Sequence, residues 1–141
     1  MRIGLLNDGK GLGAYTNEIL SVWGLMNVRQ VAGGELEDLD VEETPVLVFP
    51  AGVDEDGSFA SAALGFVQRG GNLIVCLPGS TLAQAAGVGV DGLMESPQRL
   101  RLTQAPMAGL AGESLVVVGP SQRWKRMEED AAMWAVLYQA G

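Results

Sequence analysis

The only cysteine of the chain, Cys76, lies at a corner that could do nucleophilic chemistry. The segment NLIVCLPGSTLAQAAG, residues 72–87, predicts a buried strand, a Pro-Gly turn and a helix of small residues. A thiol at the carboxyl end of a parallel strand, just before a helix N-terminus, is well placed to act as a nucleophile. Free cysteines are also among the most buried residue types, so packing in the core is the alternative.

The chain contains no histidine. Histidine is the usual general base for Ser and Cys nucleophiles, so its absence excludes a Ser-His-Asp or Cys-His-Glu mechanism contained in this chain. Zinc sites that use histidine are excluded too, and one cysteine cannot form a thiolate zinc site. We therefore expect no catalytic triad, no metal and no cofactor.

A glycine-rich turn, NDGKGLGA at residues 7–14, is a second place where a ligand could bind. Gly9, Gly11 and Ala14 match G-x-G-x-x-A, a pattern that holds a dinucleotide pyrophosphate at a helix N-terminus. Two residues separate the strand from the first glycine, and no acidic residue ends the second strand. A glycine turn that enters a helix is the simpler interpretation, and a nucleotide or phosphate site is the alternative.

The third candidate is FPAGVDEDG, residues 49–57. Ala51 and Gly52 follow a strand, where a small backbone can approach a ligand closely. The acids Asp54–Asp56 could bind a hard cation, but for so short a run a solvated loop is the simpler interpretation.

Hydrophobic spacing predicts the elements that position these loops. Apolar runs predict strands at 2–6, 45–52 and 72–77, alternation predicts a strand at 27–32, and helical spacing predicts helices at 13–24, 58–71 and 80–87. Ser58 and Ser80 are the expected helix caps, and Gly24 and Gly70 the expected stops. One apolar face of the first helix is formed by Tyr15, Ile19, Leu20 and Trp23.

The last third of the chain has a different pattern. Residues 99–104 alternate and predict an edge strand, and residues 114–119 predict a buried strand. Residues 127–141 are ambiguous, because their start favours a helix while 134–139 could form a strand. The chain stops directly after this apolar run, which favours a domain cut from a longer protein or a truncated family member.

These elements predict one α/β domain over 1–141, a flavodoxin-like three-layer sandwich with a mostly parallel sheet in order 2-1-3-4 plus C-terminal strands. Ligands of such sheets bind at the carboxyl ends of the strands, beside the point where the strand order reverses. We expect Asp8, Gly52 and Cys76 to meet there. The candidate ligand-binding residues are Asn7, Asp8, Gly9, Gly11, Gly13, Ala51, Gly52, Cys76, Gly79 and Ser80.

The composition of the chain limits the kinds of binding partner that we expect. The net charge is −8, and the only basic cluster, Arg123–Arg126, precedes three acids, so nucleic-acid binding is not expected. No apolar run is long enough for a membrane helix, and no signal peptide is evident. One unpaired cysteine agrees with a cytoplasmic location. We expect a small-molecule ligand, a homo-oligomer or a partner domain.

Three segments together resemble the class I glutamine amidotransferase-like superfamily: residues 1–24, 45–57 and 64–88. That family has a PGG loop after the third strand and a segment fv..GG.llgiC.G that holds its cysteine at a strained elbow. The chain is most similar to two branches that lack amidotransferase activity, the N-terminal domain of biotin–protein ligases and the trimerisation domain of bacterial β-galactosidases. The resemblance covers residues 1–90 well and 100–141 weakly.

The resemblance implies roles for a few residues. Cys76 matches the elbow cysteine if one residue is gapped, because the family reads C-x-G and this chain reads Cys76-Leu77-Pro78-Gly79. Gly52 and Leu77 match the positions whose N–H groups bind the oxyanion. The family's His-x-Glu has no match, which puts glutamine hydrolysis out of reach.

Three functions follow as expectations. The first is a non-catalytic amidotransferase-like domain for ligand binding or for domain or subunit interaction. The second is a cysteine-dependent hydrolase or deglycase-like enzyme, in which Asp8 steers Cys76 as in one branch of the superfamily. The third is a nucleotide or phosphate binder that uses the glycines of residues 9–14.

Overall fold

The computed structural model describes residues 2–9, 12–53, 57–95, 98–102, 114–117, 121–131 and 135–139. The chain divides into two compact units, residues 1–82 and 83–141. The expectation of one domain over 1–141 stays a prediction.

A four-stranded parallel sheet forms the centre of the first unit. Its elements, in chain order, are β1 (Ile3–Leu6), α1 (Gly13–Val22), β2 (Val28–Val31), β3 (Val46–Phe49), α2 (Ala60–Gln68) and β4 (Asn72–Val75). The strand order is β2-β1-β3-β4, and every pairing is parallel. The mixed α/β fold and the order 2-1-3-4 are therefore as predicted.

The pairing register shows where the strand order of the sheet reverses. Ile3 of β1 lies opposite Val28 of β2 on one side and Val46 of β3 on the other. Because parallel crossovers are right-handed, this reversal puts α1 and α2 on opposite faces of the sheet. The reversal point between β1 and β3 is where such sheets form ligand crevices.

The buried core lies on the α2 face. Ala63 and Phe66 of α2 are fully buried there. Gly71 comes so close to Phe66 that a Cβ at that position would overlap the phenyl ring. The other members of the buried cluster come from strands, helices and loops: Leu6, Val31, Leu36, Leu39, Leu47, Phe49, Val53, Ala60 and Leu82.

The acidic stretch at residues 35–43 is anchored to this core through Leu36 and Leu39. The backbone carbonyl oxygens of Leu36 and Leu39 each lie 3.4 Å from Nη2 of Arg69 and accept hydrogen bonds from it. Its acids are exposed on the outside, and Glu43 pairs with Arg2 at 2.8 Å. The stretch therefore has a solvated acidic side and a packed apolar side.

The predicted helix stops are confirmed, but the predicted caps are wrong. Gly24 and Gly70 have φ of 84° and 98°, the left-handed conformation in which glycine ends a helix. The N-cap of α2 is Phe59, without a side-chain cap bond, rather than Ser58. Ser80 is the first residue of the short helix α3 (Ser80–Ala85) rather than its cap.

The second unit contains two antiparallel sheets. Strands β5 (Val88–Met94) and β8 (Ser121–Arg126) form one of them, with an irregularity between Val90 and Gly92. The other has the order β7-β6-β9 and consists of β6 (Gln98–Leu102), β7 (Ser114–Val117) and β9 (Ala135–Gln139). The segment whose sequence is ambiguous thus forms a strand at Ala135–Gln139.

Two predictions for this unit are wrong, and two strands were missed. Residues 98–102 form the central strand rather than an edge, and residues 114–116 are exposed rather than buried, with Val116 62% accessible. Strands β5 and β8 were not predicted, because glycines interrupt the first and charged residues dominate the second. In the described part of the chain, no helix has the length and apolar character needed to cross a membrane.

Candidate functional site

The loops after β1, β3 and β4 form the carboxyl edge of the parallel sheet. Nine of the ten candidate residues lie in these loops or at the helix starts that follow them, and Gly11 lies outside the described residues. Because β3 lies between β1 and β4, the three loops follow one another along this edge.

Asn7 organises the loop after β1. Its backbone N–H donates to the Val31 carbonyl at 2.9 Å and so extends the β1–β2 pairing by one residue. Its side-chain Nδ2 donates to Gln30 Oε1 at 2.9 Å, and its Oδ1 accepts from the Gly9 N–H at 3.1 Å. Both ends of the Asn7 amide are therefore engaged within the protein, and its role is to shape the turn.

The same loop is tied to the loop after β3. The Leu12 N–H, at the N-cap of α1, donates to the Ala51 carbonyl at 3.0 Å. A phosphate cradle needs backbone N–H groups that point at the ligand. Here the N–H groups of Gly9 and Leu12 are already used, which reduces what this turn offers to a phosphate.

Cys76 directly follows β4, and the prediction of a buried strand there is wrong, because β4 has no buried residue and Ile74 is 53% exposed. Its N–H donates to the Phe49 carbonyl at 2.9 Å, which continues the pairing of β4 with β3. The residue is exposed, so the interpretation of Cys76 as a core cysteine is wrong. The thiol lies at a strand end that solvent reaches.

The strained position of this corner is the next residue, Leu77. Its φ is 54°, and it is the only non-glycine residue in the described ranges with positive φ. An L-residue held in this conformation costs about 1–2 kcal/mol. Its hydrocarbon side chain is 52% exposed.

The sheet pairing does not bring Asp8 and Cys76 side by side. β3 separates the strands that they follow, so the two strand ends are about 10 Å apart. Among the residues that the structure describes, no group of three or more Cys, Asp or Glu side chains could hold a metal ion. The acids Asp54–Asp56 lie outside those residues.

A different surface stands out on α1. The helix turns an apolar stripe away from the sheet, and Tyr15, Ile19 and Trp23 are 65%, 57% and 83% exposed. At 100° per residue these side chains and Val22 occupy a sector about 100° wide. We call this surface the α1 stripe, and it consists of Leu12, Tyr15, Ile19, Val22, Trp23 and Met26.

The start of the helix fixes this orientation. Gly13 is buried against Asn7, and a Cβ at Gly13 would lie 3.2 Å from Asn7 Oδ1. With Gly13 facing the sheet, helical periodicity turns Thr16, Asn17 and Leu20 to the same side, where they are half-buried. The Thr16 hydroxyl can lie there because it donates to the Leu12 carbonyl at 2.9 Å.

Helical spacing predicted one face formed by Tyr15, Ile19, Leu20 and Trp23, and this is wrong for Leu20, which lies on the half-buried side with Gly13 while the other three face outward. A signal that was available is Gly13, because a glycine at a helix start permits close packing.

Comparison of the chain with protein-family models, curated proteins and solved structures finds no match.

Proposed function

We propose that this chain is a non-catalytic amidotransferase-like domain that associates with another protein surface through the α1 stripe. The observation that carries the proposal is the outward orientation of Tyr15, Ile19 and Trp23. Soluble proteins rarely expose a contiguous apolar patch of more than a few hundred Å², and larger ones mark interaction sites.

The composition of the stripe also favours association. Tyr and Trp are the residue types that dominate binding energy at protein interfaces, because they bury a large area at little cost in conformational entropy. Between Leu12 and Met26 the only charged residue is Glu18, and depletion of charge is typical of the centre of an interface.

The carboxyl edge of the sheet supports the non-catalytic part of the proposal. A nucleophile elbow needs a nucleophilic atom at its strained residue, and that residue is Leu77. The chain has no histidine to act as a base, and β3 lies between the strands that Asp8 and Cys76 follow.

The two alternative functions have less support. An enzyme that uses Cys76 with Asp8 has the exposed thiol in its favour, but β3 separates the strands that the two residues follow. A nucleotide or phosphate site would have to do without the N–H groups of Gly9 and Leu12.

The association can be tested by photo-cross-linking in cells that express the full chain. A benzophenone amino acid at position 19 should give discrete cross-linked products, because Ile19 lies at the middle of the stripe. The same group at position 21 is the matched control, since Ser21 is exposed on the flank of the same helix. Equal cross-linking at both positions would contradict association through the stripe.

The absence of catalysis is tested on the purified chain. We expect glutamine and glyoxal-type substrates to be consumed no faster by the chain than by its Cys76→Ser variant. Steady turnover that disappears in Cys76→Ser would overturn the non-catalytic assignment and leave the enzyme alternative.

A further inference from the structure

We infer that the partner of the α1 stripe is a second copy of this chain, with the two α1 helices antiparallel and Ile19 on the two-fold axis. The inference rests on the proposed function and names its partner. Three properties of the stripe support a second copy: its spacing, its area and its charge.

The spacing of the stripe is symmetric about Ile19. Tyr15 and Trp23 lie four residues to either side of it, Leu12 is the N-cap of the helix, and Met26 follows the stop at Gly24. In an antiparallel pair centred on Ile19, Tyr15 of one copy faces Trp23 of the other, twice. A two-fold interface uses the same patch on both subunits, so it requires a patch that complements itself in this way.

The area of the stripe approaches what a stable dimer needs. Tyr15 and Trp23, at 65% and 83% exposure, together offer on the order of 300 Å². The other four members, of which Leu12 is the least exposed at 51%, extend the patch toward the ~800 Å² per partner of a standard interface.

Charge favours a second copy over a membrane or a basic protein. The chain carries a net charge of −8, and anionic lipid surfaces attract basic rather than acidic proteins. A basic partner would be recognised through carboxylates, but Glu18 is the only one between Leu12 and Met26. An uncharged stripe at the centre suits a second copy, and the acidic remainder of each chain leaves mutual repulsion that salt screens.

The first test measures the mass of the full chain by sedimentation over a wide concentration range. We expect a reversible monomer–dimer equilibrium that strengthens as salt is added. Ile19→Glu places two carboxylates together at the two-fold axis and should weaken the dimer at least about 100-fold. Ser21→Glu adds the same charge on the flank and should change it less than about threefold.

A second test establishes the antiparallel order. Tyr15→Lys and Trp23→Glu chains should each dimerise poorly alone, because each loses both aromatic pairs. Mixed together they should dimerise about tenfold more tightly than either alone, since one ion pair and one aromatic pair form across the interface. No gain on mixing would overturn the antiparallel arrangement.

The outcomes separate this inference from the proposed function. The chain could be a monomer at every concentration and still cross-link at position 19 to another protein or bind lipid vesicles. That result would overturn the inference that the partner is a second copy, and it would leave an interaction role for the stripe. A monomer without preferential cross-linking at position 19 would overturn both. A dimer that is insensitive to Ile19→Glu would place the contact elsewhere on the chain and overturn the inference.

Discussion

The two long helices of the first unit flank the same sheet, but one buries apolar residues in the core and the other exposes them. α2 buries Ala63 and Phe66 in the core, whereas α1 faces the sheet with half-buried Thr16 and Asn17 and exposes Trp23. The apolar area of α2 therefore stabilises the fold, and the exposed area of α1 remains available for a partner. Three substitution pairs can break or sharpen this comparison.

The largest difference is expected between Phe66→Ala and Trp23→Ala. Phe66 is fully buried, and its truncation should lower the free energy of unfolding by about 3–5 kcal/mol. Trp23 is 83% exposed, so its truncation should change the stability of the monomer by less than about 0.5 kcal/mol. Urea unfolding of dilute protein measures both. Comparable losses would show that α1 is as much a part of the core as α2.

Two glycine-to-alanine substitutions, each of which adds one methyl group, compare the packing on the two sides of the sheet more finely. In Gly71→Ala the added Cβ overlaps the Phe66 ring, so we expect a loss of about 1–3 kcal/mol. In Gly13→Ala the Cβ meets Asn7 Oδ1 at 3.2 Å, a tight contact with a side chain, and Ala gains up to about 1 kcal/mol in helix propensity. The second change should be nearly neutral in thermal unfolding. A greater loss for Gly13→Ala than for Gly71→Ala would contradict the assignment of tight packing to the α2 side.

The smallest effect is expected at the corner after β4. Leu77 has a φ of 54°, which glycine adopts without strain, so Leu77→Gly should be about 1 kcal/mol more stable than Leu77→Ala. Alanine is the matched control because it also lacks the leucine side chain but keeps the strain. Equal stability of the two variants in denaturant titrations would show that the backbone at position 77 is not strained.

Much of the first unit could be predicted from the sequence because its strands are short apolar runs between glycine turns. The strand order 2-1-3-4 and the stops at Gly24 and Gly70 agree with the structure. The second unit was harder, because alternation in residues 99–104 does not distinguish an edge strand from a central one. That position depends on which strands pair with it, and one of the two partners, β9, is remote in sequence.

For the candidate site, too, one part could be predicted from the sequence and another part depended on the tertiary structure. The sequence alone determined that no histidine-dependent chemistry is contained in this chain, since an absent residue type is absent from every fold. It also determined that loops rich in glycine follow strands of a parallel sheet. Tertiary structure decided that the strain is at Leu77 and that Cys76 is exposed.

Tertiary structure also decided where the apolar face of α1 points. Periodicity determines which residues of a helix share a face, but the rotation of the helix against the sheet depends on its packing, here with Gly13 buried against Asn7. In that packing Tyr15, Ile19 and Trp23 face outward, so residues that resemble a core face form an exposed surface.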